Sequence, residues 1–376
     1  MSTKQQAKIM NDSSKTTLSN IADKLSLQHA QKKDFIAPSS LLSYSDGSIF
    51  VKLKEDEEPA SFKVNEYCHE QIAEKLDIPA KYYNRMRAKN KELLESNINS
   101  WLVKNTNGKY MLRCLQTEEN AVARAFLSNS FNCIDNYDVL YAALDAIKRM
   151  RVDIEVVKAE VTDKKMYLKV ICPQIEIQAK EFLKGYLEKG GEVNHGIVSG
   201  MVISNSEIGC GQFIVAPMGW LGVCNNGLMV MDDAISQIHL GQRLPAGEIM
   251  WSEETKSKNR ELVISQVQDA VATFLNKDYL GKLINKYAAT RDIPLSHPYD
   301  AAQNICKELS IPDNHRANIL KYFLEDGVHD ASGIIHAVTR ESQNMTPDMQ
   351  YDVESSILGH INKIDKYDKI FKVGKN

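Results

Sequence analysis

Between Val193 and Val230 the chain reads VNHGIVSGMVISNSEIGCGQFIVAPMGWLGVCNNGLMV, with apolar runs too short for helices and Gly, Asn, Ser and Pro breaking them every few residues. Short apolar runs bounded by turn formers are a strand signal. This stretch is therefore expected to supply adjoining strands of a sheet, joined by constrained turns. Asn226-Gly227, lying between Leu221-Gly222-Val223 and Leu228-Met229-Val230, predicts a tight hairpin turn, because Asn and Gly take positive φ most readily. Two readings of these turns stand side by side. Gly and Asn serve backbone geometry wherever they occur, and the same turns can shape a ligand pocket. In the second reading the candidates are Asn205, Glu207, Cys224, Asn225, His239 and Arg243.

The chain has 376 residues, 43% of them hydrophobic and 25% charged, which is ordinary for a globular protein with a sizeable core and two or three domains. No run approaches the roughly 20 apolar residues of a membrane span, and the polar start MSTKQQAKIMNDSSKTTLSN lacks the apolar centre of a secretory signal. A cytoplasmic protein with no membrane partner is the expectation. Seven cysteines lie at 68, 114, 133, 172, 210, 224 and 306 without a CxxC pair or a metal-like spacing to His, so reduced thiols and no metal are expected. Cys210 and Cys224 are the one pair that could meet across neighbouring strands. The net charge of −3 means that any polyanion site must gather its positive charge on one face.

Residues 1–40, rich in Ser, Lys, Gln and Asn, read as a flexible tail carrying a short helix near Leu18 to Leu27. Residues 41–252 read as an α+β core. Ile49 to Leu53 and Ala60 to Val64 form a hairpin pattern around an acidic loop, Asn65 caps a helix, and Pro79 opens the next. Lys81, Arg85, Arg87, Lys89 and Lys91 make that second helix basic, so the pair reads either as a helix-turn-helix or as a solvated basic face. A helix over Glu92 to Val103 stops at Asn105-Thr106-Asn107-Gly108. Strands follow at Tyr110 to Leu115 and Ala121 to Leu127, on which Arg113 and Arg124 could contact an anion from one sheet or form ordinary ion pairs. Asp135 or Asn136 is placed to cap the helix that Val139, Leu140, Ala143, Leu144 and Ile147 mark.

From Arg151 onward the pattern changes to long strands, Val152 to Val161 and Met166 to Cys172, around the turn Thr162-Asp163-Lys164-Lys165. Arg149, Arg151, Lys158, Lys164, Lys165 and Lys169, with Tyr167 among them, form a candidate groove for a polynucleotide backbone, or the charged outer face of an antiparallel sheet. Beyond Glu253 the periodicity is helical to the end, with stripes such as Leu262, Val263, Val267, Ala270, Val271 and Phe274. The fold class expected is α+β: an antiparallel, strand-rich core with helices in the N-terminal half, followed by an all-helical C-terminal region over 253–376.

Five pieces of sequence, HEQIAEKLDIPAKYYNRM (69–86), RAFLSNSFNCIDNYDVL (124–140), SNSEIGCGQF (204–213), VCNNGL (223–228) and HLGQR (239–243), resemble, in this order, a family of phage and plasmid proteins known as domain of unknown function nine hundred thirty-two. The resemblance covers roughly residues 45 to 245. It implies a mixed α+β core and expression in a bacterial host cytoplasm, and carries no activity with it.

There is no P-loop, GxSxG, HExxH or DxD in the chain. Three functions remain as expectations. The first is a phage or plasmid protein that binds single-stranded DNA or RNA, similar to ring-forming annealing proteins of replication and recombination, self-associating through its helices and needing no cofactor. The second is an enzyme acting on a nucleotide or nucleic acid, with Asn205, Glu207, Cys224, Asn225 and His239 around a pocket; His195, His239 and Glu207 could come together there if the strands converge. The third is a host-interaction factor that counters defence.

Overall fold

The computed structural model describes residues 18–53, 58–118, 120–151, 153–177, 196–221, 226–229, 234–237, 247–248, 252–290, 293, 295–326 and 328–363. Two sheets and a set of C-terminal helices organise them, and the α+β expectation holds.

The first sheet contains β1 (Lys32–Pro38), β2 (Leu42–Ser45), β3 (Ser48–Val51), β4 (Ala60–Val64), β5 (Lys109–Gln116), β6 (Ala121–Ser128) and β13 (Gly247–Glu248), in the order β13-β1-β5-β6-β4-β3-β2. Every neighbouring pair is antiparallel except β4 with β6. Helices α2 (Glu66–Lys75), α3 (Ala80–Lys89) and α4 (Lys91–Lys104) cover one face, their Ile72, Met86, Leu94 and Ile98 packing with Phe35, Phe62, Leu112 and Phe126. The caps follow the sequence: the side chains of Asn65 and Asn90 accept the amides of Cys68 and Leu93 at 2.8 and 3.0 Å. In the basic helix α3, Tyr83 and Met86 are buried and Arg87 is bonded to Glu66, while Lys81, Arg85 and Lys89 are exposed.

The second sheet runs β11-β10-β9-β8-β7, with β12 (Ile235–Gln237) paired to β10; its members are β7 (Glu155–Val161), β8 (Met166–Ile177), β9 (Ile197–Asn205), β10 (Phe213–Leu221) and β11 (Asn226–Met229). Alternation along β8 sends Met166, Leu168, Val170 and Cys172 to one face and Tyr167, Lys169 and Ile171 to the other. The first face packs on α5 (Asn136–Met150) and α6 (Glu253–Phe274) through Val139, Leu140, Val263 and Val267. The remaining helices, α7 (Lys277–Ala288), α8 (Pro298–Glu308), α9 (Asp313–Asp326), α10 (Ala331–Ser342) and α11 (Pro347–Ile361), share an apolar cluster that includes Ile197 of β9. Tyr351 of α11 packs on the second face, whereas α7 lies against the first, with Leu283 beside Gly219.

Three expectations need correction. The segment read as a tail is folded from residue 18: helix α1 spans 18–31 and buries Leu25, and β1 lies between β13 and β5, because Phe35, Ile36 and Ala37 give KKDFIAP a buried centre. Residues 1–17 lie outside the described set. Helix α6 shares its core with the second sheet, so helical texture after residue 253 does not mark where that core ends. Asn226 and Gly227 are strand residues, paired with Leu221 and Trp220; the expected β10–β11 hairpin is present, and its connection, 222–225, lies outside the described residues. No described helix is long and apolar enough to cross a membrane.

The two sheets are joined by the segment between β9 and β10. Ile208 inserts into a cluster with Ile36, Met111, Leu127 and Phe131 on the first sheet's other face. Gln71 of α2 clamps it, donating to the Ile208 carbonyl at 2.6 Å and accepting from the Phe126 amide at 2.9 Å. Replacing Gln71 by Leu preserves volume but strands two buried backbone groups, each costing about 1–3 kcal/mol. Urea unfolding of Gln71→Leu should show a loss of at least about 2 kcal/mol; an unchanged midpoint would mean that the clamp does not hold the junction.

Candidate functional site at the junction of the two sheets

The site begins with alternation on β1, which places Lys32, Asp34 and Ile36 on the face opposite α2–α4. Arg113 of β5 stands directly across from Asp34. A bulge supplies the next charge: Arg113 pairs with Ala125 and Cys114 with Ala123, which leaves Arg124 as the extra residue of β6. The extra residue resets the alternation, so that Ala123 and Phe126 pack toward the helices while Ala125 and Leu127 face the junction. Arg124 thereby reaches the same side as Arg113.

Arg113 is 1% exposed and makes four hydrogen bonds. It donates to Asp34 at 3.2 and 3.1 Å, to Asp135 at 2.6 Å, and to the backbone carbonyl of Glu207 at 2.7 Å. Lys32 donates to the other oxygen of Asp135, and Arg124 donates to the Glu207 carboxylate. Three cations thus face three carboxylates where β1, β5, β6, the β9–β10 segment and the start of α5 meet. Burial pushes the Asp135 carboxyl up, but Arg113 and Lys32 outweigh it and hold the carboxyl well below the usual carboxylate range. Burial dominates at Asp34, raising it despite Arg113, and the charge on Asp135 adds to the rise.

The α5 cap differs from the sequence expectation. Asp135 occupies the N-cap position, but its side chain makes no capping hydrogen bond because Lys32 and Arg113 take it. The Glu207 carboxylate caps the helix instead, accepting the Asn136 amide at 2.7 Å. Asn205, fully buried at the end of β9, donates to the Ile134 carbonyl at 2.8 Å and to the Asn136 side chain at 2.9 Å. Nε of Arg124 and Oδ1 of Asn205 are buried and have no hydrogen-bond partner among the described residues.

Beside Arg124 and Glu207 opens a cleft of about 290 Å³. Its walls carry the cations Lys24 and Lys164 and the amides Gln28, Gln31, Asn65 and Asn120. Lys24 and Lys164 are exposed, and the Lys164 ammonium lies 4.7 Å from the centre of the Tyr67 ring. Such a wall offers positive charge and many directional donors and acceptors, suited to an anionic ligand with several polar edges.

The structure divides the sequence candidates. It gathers Arg113, Arg124, Asn205 and Glu207 at the junction and sets Lys164 on the cleft. Cys224, Asn225, His239 and Arg243 lie outside the described residues, as does His195, so the convergence of His195 and His239 with Glu207 does too. Six of the expected nucleic-acid contacts are corrected. Arg113 is sealed among carboxylates and cannot reach a phosphate; Lys169 is 3% exposed and bonded to Glu354. Lys158 is bonded to Gln350 and Lys165 is paired with Asp352. Arg149, on α5, is paired with Asp145 one turn back, and Arg151 ends that helix in a left-handed conformation, so neither belongs to the face of Lys158 and Lys169. Sequence reasoning missed Lys24, Lys32, Asp34 and Gln71; the alternation of Lys32, Asp34 and Ile36 in KKDFIAP was the available signal for two of them.

Among the described residues no group of three or more His, Cys, Asp or Glu is placed to hold a metal ion. No protein-family model, curated protein or solved structure matches the chain.

The depressed Asp135 group contributes stability that is present above about pH 4 and is lost as the pH falls further. Asp135→Asn should therefore lower stability at pH 7 by about 2 kcal/mol or more. It should also give a shallower loss than the wild type between about pH 5 and pH 3. Urea midpoints measured across that range check this, and parallel curves for the two proteins would contradict it.

Proposed function

We propose that this chain binds single-stranded nucleic acid and seats one nucleotide, phosphate included, in the junction cleft. The observation that carries the reading is the convergence of Lys24, Arg124 and Lys164 on a cleft whose other walls carry amides, hydroxyls, apolar side chains and the two carboxylates of Asp163 and Glu207. At about 290 Å³ the cleft is at the small end of ligand pockets, fitting one nucleotide unit better than a duplex. The two exposed lysines supply mobile phosphate contacts at the opening. Gln28, Asn65 and Asn120 supply donors and acceptors for base edges, which in a single strand are free to be read. The Tyr67 ring beneath Lys164 adds an aromatic surface of the kind single-strand binders use for stacking. On the resemblance noted in the sequence, the setting we assign is the replication or recombination of a phage or plasmid in a bacterial host.

Fluorescence anisotropy with a labelled five-nucleotide oligothymidylate at low salt tests the reading. Binding should weaken with added salt, and Lys24→Glu/Lys164→Glu should reduce affinity by roughly tenfold or more while leaving the unfolding midpoint nearly unchanged, since both side chains are exposed. Absence of binding by the wild type, or binding indifferent to the double charge reversal, would sink the proposal.

A further inference from the structure

The two faces of the second sheet are covered in different ways. Helices α5 and α6 cover one with aliphatic side chains. On the other, Tyr351 of α11 joins the apolar cluster that holds Tyr167, Ile171, Val198, Val202, Met218 and Trp220, and the described α11 contacts with the β7–β8 hairpin are otherwise polar. Asp348 accepts from the Tyr167 hydroxyl at 2.6 Å and from Thr162 at 3.0 Å. Asp352 lies 3.7 Å from Lys165 and Glu354 2.6 Å from Lys169, while Gln350 accepts from Lys158 at 2.6 Å. Between these acids the Tyr351 ring lies 4.8 Å from that of Tyr167, inclined by 34°, with the Lys165 ammonium 5.4 Å from its centre.

An aromatic ring laid against a sheet tyrosine, flanked by negative groups on lysines, is the arrangement a single strand makes with a protein that stacks its bases and pairs its phosphates. We infer that the face of β7, β8 and β9 beneath α11 is a second, covered stretch of polynucleotide-binding surface, and that α11 occupies it as an internal mimic of a single strand. The inference rests on the proposed nucleic-acid function and extends it to the regulation of that surface. Thr162 and Lys164 line the cleft while Thr162 and Lys165 face α11, so the covered surface continues from the cleft across the β7–β8 turn. The apolar side of α11, with Val353, Ile357, Leu358 and Ile361, packs into the C-terminal cluster. The same cluster includes Ile197 of β9, so the bundle stays anchored on the sheet and displacement is confined to the α11 side. A polar, ion-paired contact also suits exchange, because charge pairs of this kind fix register while adding little net adhesion. A short strand would occupy the cleft alone, and a long one would compete with α11.

The test compares five- and thirty-nucleotide oligothymidylates on the full chain and on Asp348→Lys/Asp352→Lys. The double variant should bind the thirty-mer at least about tenfold more tightly than the wild type, with a steeper salt dependence, and bind the five-mer about equally. Hydrogen exchange on the wild type provides a second measurement that does not depend on the variant's folding: saturating thirty-mer, and not five-mer, should speed exchange across 347–361. No gain by a folded variant overturns the inference. If the variant fails to fold, unchanged exchange in α11, or a wild type that does not bind the thirty-mer, overturns it. The outcomes separate from those of the cleft proposal: failure of five-mer binding with a gain for the thirty-mer removes the cleft reading alone, and five-mer binding without that gain removes this one.

Discussion

A single guanidinium, that of Arg113, joins three parts of the chain at the junction of the two sheets. It bonds β1 through Asp34, the start of α5 through Asp135 and the β9–β10 segment through the Glu207 carbonyl, all from a position 1% exposed. Burying a charge is costly unless every donor is used, and breaking such a set by removing one partner typically costs about 3–5 kcal/mol. The planar, multi-donor fork is what makes three simultaneous partners possible, and Lys could not replace it. The junction is consequently a point of specification: it fixes which segments approach one another and leaves the two apolar cores to supply the bulk stability.

The cleft is a consequence of that junction. Arg113 holds the backbone of Glu207, which fixes the side chain to cap α5 and to receive Arg124. Arg124 is available only because a bulge in β6 turns it toward the junction. Helix α1 contributes Lys24 and Gln28 from one side, and the β7–β8 turn contributes Thr162 and Lys164 from the other. A surface made from six separated pieces of chain keeps its shape only if the pieces are anchored behind it, and the ion cluster and the Gln71 clamp contribute that anchoring.

Much of the fold was legible in the sequence because it depends on local signals. Period-two alternation with turn formers located the β3–β4, β5–β6 and β7–β8 hairpins, and Asn65, Pro79 and the apolar stripes located helices. Less of the site was legible, because its residues act across long separations. Arg113 read as an anion contact or an ordinary ion pair on a sheet face, and Asp135 or Asn136 as a helix cap; the partners that bury Arg113 and take the Asp135 side chain come from elsewhere in the fold. The bulge at Arg124 breaks the alternation on which strand reading relies. Lys158 and Lys169 looked like a solvated groove, since nothing local announces that Gln350 and Glu354 will lie over them. The polar composition of the first forty residues concealed β1, whose four consecutive buried residues are too few to stand out in a charged background.

On the proposed function, the anchored junction presents a cleft that receives a nucleotide phosphate among Lys24, Arg124 and Lys164. The most direct measurement is a crystal structure of the full chain with a five-nucleotide oligothymidylate. The account predicts a phosphate oxygen within hydrogen-bonding distance of Arg124 or Lys164, a base against the amide-lined wall, and the Arg113 cluster unchanged behind them. An oligonucleotide bound at another surface, with the cleft empty, would contradict it.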